Sequence, residues 1–146
     1  MSTDTLQHWD GISVGDKLPT IKHTVTQEAI NQYADASGDH NPLHIDPEFA
    51  KGTFYGRTIA HGLMTLAFVS QMMTEWDWDG WAYGGEMDMA FLSPVFPGDE
   101  VNVSAEVTTI EKRADGVHAL CKLNVFVGDK TILGGTVSRL LSAADT

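Results

Sequence analysis

YADASGDHNPLHIDPEFAKGTFYGRTIAHGLMTLAFVSQMM, running from Tyr33 to Met73, divides into two unlike halves. The first is a tight polar stretch carrying Asp39, Asn41 and His44. The second opens at His61-Gly62 and continues as a long apolar run. Asp39 and His44 lie five residues apart with Pro42 between them. Proline has no N–H and clashes with the preceding turn, so no helix passes through both residues. It also drives Asn41 towards an extended conformation. The segment therefore reads as a bend, and a bend can aim a carboxylate and an imidazole at one point. Such a pair converging on a water serves general acid/base chemistry; the structural alternative is a helix-end turn in which Asp39 caps and His44 packs.

Gly62 stands where the apolar run LMTLAFVSQMM begins. A glycine there leaves its N–H unobstructed at the positive end of a helix, where it suits an oxygen that gains negative charge. It equally suits close packing against a neighbour, and the residues alone do not choose. Leu63, Leu66, Ala67 and Ser70 share one helical stripe. The run is apolar nearly all round, which predicts a helix from Gly62 to about Glu75 that is buried. Ser70 then needs a hydrogen-bond partner, either the carbonyl one turn back or a group in the polar loop.

The run S-G-D-H-N-P-L-H-I-D-P, followed by R-T-I-A-H-G-L-M, resembles the signature of the MaoC-like dehydratase family, the R-specific enoyl-CoA hydratases. That pattern is D-x-N-P-x-H, an H-G dipeptide opening the central helix, and a serine one to two turns further in. Asp39, Asn41, Pro42, His44, His61, Gly62 and Ser70 fit it. The motif covers about a quarter of the chain. The resemblance implies a hot-dog fold and a hydro-lyase that adds water syn across a trans-2-enoyl thioester. It assigns acid/base roles to Asp39 and His44 and an oxyanion donor to Gly62. Asn41, Ser70, His61 and Phe54 are expected to support the site or the substrate. An acyl-CoA thioester would be substrate, with no cofactor besides the coenzyme A it carries. Rival readings are a hot-dog acyl-CoA thioesterase and a non-catalytic acyl-binding subunit. The thioesterase places an acid on the long helix, where residues 62–74 hold none; a degenerate subunit loses the Asp or His kept here.

The flanks agree. A chain of 146 residues is read as a single domain over residues 1–146, small enough that a homodimer or higher homo-oligomer would help it. A net charge of −11 argues against nucleic acid or an anionic membrane as partner. Any phosphate contact must come from a local cluster among Lys51, Arg57, Lys112, Arg113, Lys122, Lys130 and Arg139. Cys121, the only cysteine, sits in a strand pattern and reads as an inert thiol. No apolar run has membrane-span length, and MSTDTLQHWDG lacks a signal peptide's features, so a cytoplasmic location is expected. Metal is not expected. His40 and His44 have i, i+4 spacing, but Pro42 breaks the helix that spacing needs. Asp39-x-Asn41 begins like a calcium loop, yet His44 and Ala50 occupy its glycine and glutamate positions.

A first strand is predicted within residues 19–25, then a helix from Gln27 to Ala36 capped by Thr26 and closed by Gly38. Asp46-Pro47 starts a short helix that Gly52 ends. Residues 75–84, EWDWDGWAYG, read as an aromatic loop that walls an acyl tunnel or fills a subunit interface. Phe54 and Tyr55 read as a cover for the site or as core aromatics. Alternating strands follow from Glu86 to Leu141 with hairpins at Ala114-Asp115-Gly116 and Gly128-Asp129. The whole is an α+β layer structure with an antiparallel sheet wrapped on one long helix.

Overall fold

The computed structural model describes residues 4–144. Strands β1 (Thr5–Leu6), β2 (His8–Trp9) and β3 (Ile12–Ser13) form a short lead-in, and β4 covers Ile21–Thr24. Helices α1 (Gln27–Ser37), α2 (Pro42–Ile45), α3 (Pro47–Lys51) and α4 (Gly62–Gly84) come next. Strands β5 (Glu86–Phe91), β6 (Glu100–Arg113), β7 (Gly116–Val127) and β8 (Lys130–Ala143) complete the chain. The main sheet has the order β1-β6-β7-β8-β5, with β4 also on β6, and its pairs are antiparallel. Helix α4 packs chiefly on β8, with further contacts to β4 and β6. This is the α+β arrangement that the sequence predicts, and β5 is left as an edge.

Period-two alternation explains the sheet. Val101, Val103, Ala105 and Val107 of β6 are buried, as are Ala119, Cys121, Leu123 and Val125 of β7. A register shift between Val107 and Thr109 moves the inward phase by one, so Ile110 also points inward at 0% exposure. Both two-residue hairpins form where their turn residues stand, joining Arg113 to Gly116 and Val127 to Lys130. Thr26 accepts from the Ala29 N–H, and Gly38 closes α1 in the left-handed region at φ 80°.

Two expectations about α4 are corrected. It does not end near Glu75. It continues to Gly84 after a break at Asp77, whose φ of −164° and ψ of 98° are extended. The supposed aromatic loop is therefore a second helical piece. The acidic and glycine residues suggested a loop, but tertiary contacts hold it: Trp81 Nε1 donates to Ser70 Oγ at 3.0 Å, and the Arg139 guanidinium pairs with Asp77 and lies 4.1 Å over the Trp76 ring. Nor is α4 buried all round. Met64, Thr65, Val69, Met72 and Met73 face the sheet, whereas Leu63 is 61% exposed and Ala67 is exposed too. Among the described residues no helix is long and apolar enough to cross a membrane.

Candidate active site

The polar bend is built by three consecutive helix boundaries. Gly38 turns α1 back, with its N–H bonded to Ala34 O at 2.9 Å, and delivers Asp39 just beyond the helix. Asn41 is the N-cap of α2: its side chain accepts from Leu43 N at 3.0 Å, and Pro42 takes the first helical position. Pro42 thus starts a one-turn helix instead of merely barring one, and His44 rides on that turn. Asp46 caps α3 by accepting from Glu48 and Phe49 N–H groups. These local caps set the turns of the bend, while the Asp39 and His44 carbonyls are held from farther off in the chain, by His61 and Gln27.

His44 and His61 then stack, with ring centroids 3.9 Å apart and planes 30° from parallel. Tyr33 flanks His61 on a second side at 4.8 Å. His61 is 2% exposed, and its Nε2 donates to the Asp39 carbonyl at 2.9 Å. The N-cap residue of α4 therefore pins the Asp39 backbone. His44 Nδ1 donates to Ile59 O at 2.8 Å. A carbonyl can only accept, so in the neutral ring Nε2 is left with the lone pair. Ligand-capable atoms of Asp39, His44 and His61 all lie within 4.8 Å of one another. The carboxylate and the imidazole converge as the bend predicts.

A cavity of ≈ 450 Å³ opens beside His44 and Gly62. Its walls are apolar and come from Ile59, Leu63, Phe91, Leu92, Ile132 and Leu133. Gly62 is the first residue of α4, where an N–H has no intrahelical acceptor, and His61 makes no side-chain cap bond. A methyl group at position 62 would come within 2.5 Å of Phe91 Cε1. The packing reading of Gly62 holds, and the residue also lines the cavity.

Other expectations need correcting. Phe54 is 98% exposed and is not part of the cavity wall; Tyr55 beside it is. The loop that carries them turns Phe54 outward, with Tyr55 edge-on to it at 5.6 Å. Ser70 is bonded to Trp81 rather than to the polar loop, because the second piece of α4 brings the indole back over the first. None of Trp76, Trp78 and Trp81 lines the cavity, whose wall comes instead from the end of β5, the segment after it and β8.

Gln27 was not singled out by its sequence. Its Nε2 donates to His44 O at 2.8 Å, and its Oε1 accepts from Thr58 Oγ1 at 2.6 Å. One side chain on α1 thereby ties the turn that carries His44 to the irregular segment leading into α4. No local pattern marks a contact 31 residues apart in the chain.

Among the described residues, Asp39, His44 and His61 are also the group that could hold a metal ion. The fit is poor. An imidazole binds a metal in its ring plane at about 2 Å, and two rings 3.9 Å apart and 30° from parallel have planes that meet well beyond that distance. What the arrangement does offer is the His44 imidazole and the Gly62 helix start at an apolar chamber, with the exposed Asp39 carboxylate near the His44 ring but outside the chamber's lining.

The MaoC like domain matches residues 12–125. 3-Hydroxyacyl-thioester dehydratase Z of Mycobacterium tuberculosis is 38% identical over 97 residues, covering 64% of this chain and 64% of that relative. The chain thus spans a little under two thirds of that relative's length. The (R)-specific enoyl-CoA hydratase of Aeromonas caviae is 33% identical over 132 residues, covering 88% of this chain and 96% of the relative. The solved (R)-hydratase of A. caviae superposes with a TM-score of 0.75 at 30% identity, over 90% of this chain and 99% of that one. With the bend, the histidine stack and the helix-opening glycine all in one fold, the chain belongs to the MaoC-like dehydratase family and has its hot-dog architecture.

Proposed function

We propose that the protein is an R-specific enoyl-CoA hydratase, working reversibly as a 3-hydroxyacyl-CoA dehydratase. The observation that carries this reading is the convergence of Asp39 and His44 beside an apolar cavity that Gly62 also lines. A water held between the carboxylate and His44 Nε2 gives up its proton to that lone pair as its oxygen bonds to C3 of the enoyl thioester. Electron density moves through C2 to the thioester oxygen, which accepts a hydrogen bond from the Gly62 N–H at the positive end of α4. C2 then takes one proton from the Asp39–His44 pair on the same face, and the sum is syn addition of one water. Asn41 holds the bend, and His61 holds Asp39. Ser70 bonds Trp81 and ties the two pieces of α4 together, away from the cavity. The reading requires no cofactor beyond the coenzyme A of the substrate.

We also read residues 1–146 as one domain and the active form as a homo-oligomer. Leu63, Phe91 and Leu92 are 61%, 58% and 56% exposed beside the cavity, and among the described residues β5 leaves an unpaired edge. The decisive assay follows loss of enoyl-thioester absorbance when protein is added to crotonyl-CoA. Near-wild-type hydration by a folded Asp39→Asn protein would end the mechanism, and release of free thiol would point to hydrolysis instead.

A further inference from the structure

Nine Lys and Arg against twenty Asp and Glu leave few cations to spare in this chain. Lys22, Lys51, Arg113 and Arg139 each lie within 4.0 Å of a carboxylate. Among the described residues, Lys17, Arg57, Lys112, Lys122 and Lys130 have no such partner, and Arg57 and Lys130 are the two of these that share an aromatic ring. They come from segments far apart in sequence and meet at one half-buried ring: Arg57 Cζ lies 3.8 Å from the Phe96 centroid and Lys130 Nζ 5.1 Å from it. Lys130 Nζ also donates to Pro94 O at 2.9 Å. Pro94 and Val95 are part of the cavity wall. The Ala60 N–H bonds Val95 O at 2.8 Å, so the segment that carries Arg57 passes alongside that wall. An aromatic face restrains a cation without neutralising it, and the charge stays available to an anion from solvent.

We propose that Arg57 and Lys130, restrained on Phe96, bind the phosphate groups of the substrate's carrier arm while its acyl end occupies the cavity. This rests on the thioester reading above. The shared chemistry is a phosphate ester of pantetheine, found in the nucleotide end of coenzyme A and in the phosphodiester of an acyl carrier protein. Arginine forks and lysine point charges both suit such groups.

The test uses one enoyl group on coenzyme A, on phosphate-free pantetheine and on acyl carrier protein. In the double variant Arg57→Gln/Lys130→Gln, KM for the coenzyme A thioester should rise by on the order of tenfold or more. Its kcat should hold, and KM for the pantetheine thioester should not move. The carrier-protein arm identifies the source. A parallel rise there assigns the contact to the phosphate next to pantetheine, and a rise for coenzyme A alone assigns it to the nucleotide phosphates; either supports the proposal. An unchanged KM for the coenzyme A thioester overturns it, and so does an equal rise for pantetheine. Calorimetric binding of free coenzyme A and of pantetheine reads the same contact without turnover. If the wild type binds coenzyme A better than pantetheine and the double variant loses that preference, the inference stands even where hydration fails. Equal binding of coenzyme A by the wild type and the double variant sinks the inference while leaving the hydration chemistry intact.

Discussion

The two ends of helix α4 are built on opposite terms. At its start, His61 makes no side-chain cap bond, Gly62 presents a bare amide, and the neighbouring cavity is apolar. Beyond Asp77 the helix is clamped: Arg139, 6% exposed, pairs with Asp77 and covers Trp76, while Trp81 reaches back to Ser70. The same element thus leaves donors unused where chemistry is proposed and consumes them where packing is needed. Unsatisfied polar groups cost stability, so an end left open is informative about function in a way the clamped end is not.

Substitution can break that contrast. The largest effect is expected at the open end: His44→Ala and Asp39→Asn should each lower hydration by about 10²–10⁴-fold. Their urea midpoints should stay near the wild type, because Asp39 is exposed and His44 half-buried. At the clamped end the pattern inverts. Asp77→Asn leaves Arg139 as a buried charge without its partner, and loss of about 3 kcal/mol is expected in chemical denaturation, with kcat of the folded fraction retained. If Asp77→Asn removed activity without stability, the two ends would not be separate.

Trp81→Phe removes one hydrogen bond and leaves Ser70 unpartnered, a change of about 1 kcal/mol. Equilibrium unfolding checks it, and a large loss of kcat there would restore Ser70 to the active loop. Near neutral pH the smallest effect is that of Cys121, whose contribution changes only at high pH. Burial pushes its thiol up to about 12, with the Arg139 charge opposing. A raised folded value means that its contribution is complete below the ordinary thiol value of 9.0 and is lost as pH climbs towards 12. Stability should therefore fall over that window, and Cys121→Ala should flatten the fall. In the native protein the thiol should resist aromatic disulfide reagents until unfolding.

What could be read from residues alone follows the same division. Asp39, Asn41, Pro42 and His44 were legible because their conformations are set by neighbours within a few positions: a cap, a proline, a helix-ending glycine. The strands were legible from alternation, since Val101 to Val107 and Val117 to Val125 carry their burial in their spacing. Residues 77–84 were not, because an arginine from β8 and a serine two turns back decide their fold. The cavity wall escaped for a related reason. Ile132 and Leu133 look like any buried strand residues, and only the docking of β8 beside α4 makes them a lining. Phe54 was misplaced because an aromatic ring in a glycine-flanked loop carries no sign of which way it faces.

The Gln27 amide touches both the carbonyl of His44 and the hydroxyl of Thr58. Anyone transplanting the Asp39–His44 bend into another scaffold would therefore import only part of a working device. The graft would have to bring the opening turn of α1 with it, since the brace on the backbone of His44 is anchored outside the motif that names the family.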